Sequence, residues 1–121
     1  MSGRAETGRL GERLAGESLL KRGYQIVERN WRCPRGEIDI VARDGDCWVF
    51  VEVKTRRGQG TELPEDGLTR TKAQRLVELA QIYLSEHALT QVDWRIDLVA
   101  VELDLRGRLR RLNVVPCVAA D

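Results

Sequence analysis

Residues 36–54, GEIDIVARDGDCWVFVEVK, constrain this chain more than any other stretch. Two runs rich in β-branched and aromatic residues flank Asp44-Gly45, a dipeptide that favours a tight hairpin turn. The spacing predicts antiparallel strands over 36–42 and 47–54. Side chains alternate faces along a strand. On the first strand this puts Glu37, Asp39 and Val41 on one face, with Ile38, Ile40 and Ala42 on the other. On the second, Trp48, Phe50, Glu52 and Lys54 oppose Val49, Val51 and Val53. Charges inside apolar strands are costly unless something compensates them, so Asp39, Glu52 and Lys54 need a reason.

In ordinary hairpin register Asp39 and Glu52 approach each other, and Lys54 sits one step further along. Two close carboxylates either share a proton or bind a cation. Carboxylate oxygens suit hard divalent ions such as Mg2+ or Mn2+, and the backbone carbonyl of Val53 is a further oxygen ligand within reach. A metal held there acidifies a bound water and stabilises charge on a phosphate. Lys54 would hold the attacking water or neutralise the transition state. A bland alternative stays open: Glu52–Lys54 as an ion pair at an exposed strand end, with Asp39 capping a turn.

The rest of the chain supplies a scaffold. The pattern predicts a helix over 6–22, with Gly8, Gly11, Ala15 and Leu19 on one face and Glu12 among them. Gly23 ends it. A strand follows over 24–31, with Tyr24, Ile26 and Glu28 on one face, and then a turn at 32–35. Residues 55–68 read as a mobile loop. A second helix spans 71–87, opened by a Thr71/Gln74 capping box, with Leu76, Leu79, Ala80, Tyr83 and Leu84 as its core stripe. A strand over 94–102 and a fifth over 110–115, reached through Arg106-Gly107, complete the order αβββαββ. That order implies one α/β domain over 1–121: a central mixed sheet flanked by helices.

Composition narrows the function. Twenty Lys+Arg against 19 Asp+Glu give a formal net charge of +1, so any basic footprint is local. Arg56 and Arg57, then Arg70, Lys72 and Arg75, flank the acidic cluster and suit phosphate contacts; a solvated helix start and loop is the competing reading. Cys33, Cys47 and Cys117 lack metal or disulfide spacing and read as reduced, buried or half-buried thiols. His87, the only histidine, lies near a predicted helix end and gives no basis for a Ser–His or Cys–His pairing. Trp31, Trp48 and Trp94 lie in predicted strands and read as packing residues. No apolar run is long enough to span a membrane and the N-terminus lacks an apolar signal core, so a cytoplasmic protein is expected.

Several blocks match a known pattern. Asp39 on one strand, followed on the next by Glu52-Val53-Lys54, resembles the PD-(D/E)xK signature of restriction-endonuclease-like nucleases. Gly8 to Glu12 (GxxGE), RGY at 22–24, RNWR at 29–32, GEIDIVARDG at 36–45, FVEVKTR at 50–56, KxxRL at 72–76 and RIDLVAV at 95–101 together are similar to the YraN family. That family is a group of small bacterial proteins with an endonuclease-like fold akin to archaeal Holliday junction resolvases. The resemblance covers nearly the whole chain in the family's order. Ile38 stands where the superfamily signature has proline.

The resemblance implies a site of Glu12, Asp39, Glu52 and Lys54, in which the acids hold Mg2+ or Mn2+ and the lysine assists water. It implies a metal-dependent nuclease on DNA, branched or single-stranded, and a symmetric dimer of the resolvase kind. Two other readings remain: a non-catalytic nucleic-acid-binding or accessory protein on the same fold, and a scaffold whose charges form an ion-pair network.

Overall fold

The computed structural model describes residues 3–58, 60 and 62–120. Its elements run α1 (Arg4–Lys21), β1 (Gln25–Cys33), β2 (Gly36–Asp44), β3 (Cys47–Arg57), a 3-10 turn (Pro64–Gly67), α2 (Arg70–Glu86), β4 (Trp94–Leu103) and β5 (Leu109–Ala120). The strands form one mixed sheet in the order β1-β2-β3-β4-β5. Neighbours pair antiparallel except β3 and β4, which run parallel. Parallel neighbours need a long crossover, and α2 supplies it. The result is a single-domain α/β protein with one helix on each face of the sheet, compatible with a restriction-endonuclease-like fold.

Two cores follow from the two faces. Ala15 and Leu19 of α1 pack on Ile40, Ala42, Val49 and Val51 and on the β4 valines. Leu76, Leu79, Ala80, Tyr83 and Leu84 of α2 pack on Trp31, Ile38, Val41, Phe50 and Ile96. The central strands are buried on both faces and read as near-continuous apolar runs for that reason. Gly11 sets the seat of α1: a Cβ there would stand 1.8 Å from Thr55 Oγ1 on β3. Only hydrogen fits, so the helix backbone lies directly on the strand and carries Glu12 with it.

The structure corrects several expectations. Ile38 packs with the α2 core while Ile40 packs with the α1 core, so strict alternation fails between them. Asn30, which falls opposite Asp39 in the β1–β2 register, has φ 54°. A residue in that region bends the strand, and the ribbon exchanges faces there. Glu28 does not share the face of Tyr24 and Ile26. A register shift between Ile26 and Glu28 turns it towards α2, where it accepts a hydrogen bond from Tyr83 Oη at 3.2 Å. The cap of α2 is Thr69, whose Oγ1 accepts from Lys72 N at 3.2 Å, and not Thr71. Segment 55–68 holds the end of β3 and the 3-10 turn; Gln59 and Thr61 within it lie outside the described residues. β5 runs past Pro116, which an edge strand tolerates because one side of its ladder is unpaired. Cys33 and Cys47 are half-buried free thiols, whereas Cys117 is exposed.

The tryptophans pack against other aromatic rings. Trp31 meets Tyr83 edge-on at 5.3 Å between centroids, and Trp94 meets Phe50 at 6.1 Å. His87 caps α2 and stacks on Tyr83 at 3.9 Å. Among the described residues no helix is long and apolar enough to cross a membrane.

Candidate acidic centre between the two helices

The β2–β3 ladder pairs Asp44 with Cys47 and continues to Ile40 and Val51, where it stops. The next backbone donor on β3 facing β2 is Val53 N–H. It has lost its strand partner, and Asp39 replaces it: Oδ2 accepts from Val53 N at 2.8 Å. The face exchange at Asn30 and Asp39 therefore has a purpose in the fold. It turns Asp39 sideways into the opening between β2 and β3. A strand residue directs its N–H and C=O to the same edge, so the Val53 carbonyl also faces this opening.

Glu52 and Lys54 reach the same place from β3. Lys54 Nζ lies 3.7 Å from Glu52 Oε2, with side chains 28% and 18% exposed. Asp39 is 8% exposed. The bland alternative is met in part: Glu52 and Lys54 form the ion pair it named, half-buried rather than exposed, and Asp39 caps a backbone N–H, on a strand rather than in a turn. Burial, then hydrogen bonding with Asp39 and its negative charge, push the Glu52 carboxyl up to about 8, against a smaller opposing pull from Lys54. Burial and the neighbouring Asp39 thus favour the protonated form of Glu52. Glu12, on α1, is raised too: first by burial, then by the charges of Asp39 and Glu37, with Arg29 and Arg32 opposing. Glu12 and Glu52 each feel Asp39, yet among the described residues no group of three acidic, histidine or cysteine side chains is drawn close enough to hold a metal by itself. The tight members are Asp39 and Glu52.

The centre opens into clefts on both sides of the sheet. On the α2 side, Glu52 and Lys54 share a cleft with Glu37, Lys72 and Arg75. On the α1 side, Glu12 lines one cleft with Arg9, Arg29 and Asp39, and a second with Val53, Arg56 and Arg57. Of the basic residues singled out from the sequence, Lys72 and Arg75 thus stand beside Lys54, and Arg56 and Arg57 beside Glu12. Arg70 is exposed at the start of α2. Some of these cations are already engaged: Arg56 bonds the Glu62 carbonyl and lies 3.5 Å from its carboxylate, and Arg75 donates to the Arg35 carbonyl at 3.3 Å.

A second polar cluster escaped the sequence reading. Asp97 on β4 is fully buried. It accepts from Arg95 Nε at 2.9 Å, Tyr24 Oη at 3.1 Å and Cys117 N at 2.9 Å. Arg95 also donates to Tyr24 Oη at 2.8 Å and to Asp44 at 3.1 Å. This network ties β4 to β5, to the start of β1 and to the β2–β3 hairpin. The available signal was Arg95-Ile96-Asp97: residues two apart on a strand share a face, so a buried Asp came with its own counter-ion. Its hydrogen bonds are satisfied and it opens on no cleft described above, so it is a structural staple.

The family model described as Uncharacterised protein family UPF0102 matches residues 11–101. The chain belongs to this family. A UPF0102 protein of Streptomyces griseus is 51% identical over 108 residues, covering 88% of this chain and 91% of that protein. One of Roseiflexus castenholzii is 44% identical over 115 residues, covering 93% and 92%. One of Moorella thermoacetica is 43% identical over 112 residues, covering 93% of each. The UPF0102 match spans Glu12, Asp39, Glu52 and Lys54, and it ends inside β4.

Proposed function

We propose that this UPF0102 protein is a metal-dependent phosphodiesterase that hydrolyses DNA, branched or single-stranded, with a nuclease centre of the PD-(D/E)xK kind and kinship to the YraN group. The observation that carries the reading is the Asp39–Glu52 pair: one buried carboxylate and one half-buried carboxyl whose proton is held above its ordinary range, beside a lysine and a backbone carbonyl.

That donor set fits Mg2+ or Mn2+. It is all oxygen, and such ions are commonly held by one or two carboxylates together with water and phosphate. Asp39, Glu52 and the Val53 carbonyl would hold the ion, with Glu12 across the opening placing metal or water. When bound, the ion supplies positive charge for the phosphate and an acidified water. Lys54 offers an ammonium to the attacking water or to a phosphate oxygen. Lys72 and Arg75 on one side, with Arg56 and Arg57 on the other, provide sequence-independent phosphate contacts.

The test is a titration of Mg2+ and Mn2+ with labelled duplex, single-stranded, flap and four-way-junction DNA, run beside a Glu52→Ala, Lys54→Ala double variant. Cleavage that needs metal and vanishes in the variant supports the reading. A variant that cuts as well as the parent sinks the site assignment. A second reading, a non-catalytic DNA-binding protein on the same scaffold, draws on one observation: the acids do not form a ready three-carboxylate cage. It predicts salt-dependent DNA affinity with no metal-dependent cut.

A further inference from the structure

The β4–β5 connection carries a concentration of arginine that the acidic centre does not use. Asp104 builds the turn: its Oδ1 accepts from Arg106 N at 2.9 Å and Arg108 N at 2.8 Å, and Arg108 Nε lies 3.1 Å from Oδ2. Arg57, at the end of β3, donates through Nε and Nη2 to the Leu105 carbonyl at 3.2 and 3.0 Å. Gly58 lies under the tip, where a Cβ would stand 3.0 Å from Leu105 Cδ2. The tip is therefore braced on the strand that carries Glu52 and Lys54, three residues beyond Lys54 or about 10 Å along a strand.

Two properties of this tip point outward. Leu105 is 74% exposed and Leu109 49%, although apolar side chains normally gain by burial. Arg108 is neutralised by Asp104, and Arg111 by Glu65 and Glu102. That leaves Arg57, Arg106 and Arg110 with no carboxylate within 4.0 Å among the described residues. The cleft that passes Glu12, Val53 and Thr55 reaches Arg57, and a further hollow at the tip is lined by Gly58, Leu105, Arg106 and Arg110. Asp104 and Arg108, already paired with each other, complete the wall of that hollow, so Arg57, which lines the first cleft and bonds the Leu105 carbonyl, is the link between the acidic centre and the exposed leucine.

We propose that the β4–β5 hairpin is a nucleic-acid-binding arm. Arg57, Arg106 and Arg110 hold phosphates of a strand leaving the acidic centre. Leu105 covers the face of a base left unstacked at a strand end or branch, as apolar wedges do in other DNA complexes. The occupant is a polyanion with an accessible base, which selects tailed or branched DNA over continuous duplex. This assignment rests on the nuclease reading for its substrate and extends it.

The experiment is fluorescence anisotropy with two labelled probes, a blunt duplex and the same duplex bearing a single-stranded tail, across a salt series in EDTA. The proteins are the parent, Leu105→Ala and Arg106→Ala/Arg110→Ala, whose changes lie at exposed positions; matching thermal melts check folding. Losing two phosphate contacts lowers the log–log salt slope by roughly 1.5 on the tailed probe. Leu105→Ala weakens the tailed probe about tenfold and spares the duplex. Parent-like slopes and affinities in both variants would overturn the arm, and so would a parent that binds neither probe. The Mg2+ and Mn2+ cleavage assay separates the two claims. Cleavage with no arm effect overturns the arm alone. Arm-dependent binding without cleavage overturns the nuclease reading and keeps the arm.

Discussion

Replacing Glu52 with glutamine should stabilise the metal-free protein, and more so as pH rises. The folded carboxyl holds its proton up to about 8, whereas its ordinary value is 4.5. Between those limits the folded state binds the proton that the unfolded chain has released. Stability therefore falls as pH rises through that window and is fully present below it. At ~1.4 kcal/mol per pH unit the ceiling is about 5 kcal/mol. Relaxation around a side chain still 18% exposed leaves roughly 2–3 kcal/mol as the working value at pH 8. Glutamine keeps the shape, cannot ionise and can donate its amide hydrogen to Asp39. For a domain of this size that is a rise in Tm of roughly 6–12 °C at pH 8, shrinking to nothing near pH 4.5. The assay is a set of thermal or urea melts of parent and Glu52→Gln in EDTA from pH 4.5 to 8.5, read as the difference between the two. A difference that does not grow with pH would refute the claim that Glu52 keeps its proton beside Asp39.

Three further outcomes test the scaffold that places the centre. Asp97→Asn removes the charge facing Arg95 and one of its acceptors at a fully buried position; urea unfolding should show a loss of about 3 kcal/mol. Gly11→Ala drives a methyl into Thr55. It should cost about 1–3 kcal/mol and lower any metal-dependent activity by displacing Glu12, whereas the companion Thr55→Ala change, which removes the clashing Oγ1, should recover part of the loss. Glu65 bonds Arg111 at 2.6 and 2.8 Å and Asn113 at 2.9 Å, and the Arg111 guanidinium above all pulls its carboxyl down to about 2. Glu65→Gln should therefore remove stability that is present above pH 4.5 and lost as pH falls towards 2, seen as a flatter acid limb in pH-dependent melts.

How far the sequence could be read depended on whether the backbone kept its period. The turn at Asp44-Gly45, the extent of the β4 run and the α2 stripe were legible, and Leu76, Leu79, Ala80, Tyr83 and Leu84 are buried as their spacing predicts. The approach of Asp39 to Glu52 was visible because ordinary hairpin register brings them opposite. The means of approach was not. It depends on Asn30 at positive φ, and a face exchange in a two-strand ribbon breaks the alternation on which strand reading relies. Thr69 and Thr71 both offer a capping hydroxyl two residues apart, and spacing cannot choose between them. Pro116 reads as a stop, yet β5 passes it because it is an edge. The Leu105 arm was hidden for another reason. An exposed leucine is unremarkable in a sequence, and only the tertiary contact with Arg57 shows that it is held out on a braced tip.

The most direct test of the acidic centre is calorimetric titration of Mn2+ into the parent and into Glu52→Gln at pH 7, in two buffers of different ionisation enthalpy. A metal that displaces the proton held by Glu52 releases about one proton on binding. The account predicts saturable Mn2+ binding with that release in the parent, and its loss with weakened binding in Glu52→Gln. Mn2+ binding that is equal in both proteins and releases no proton would contradict it, as would the absence of any Mn2+ binding by the parent.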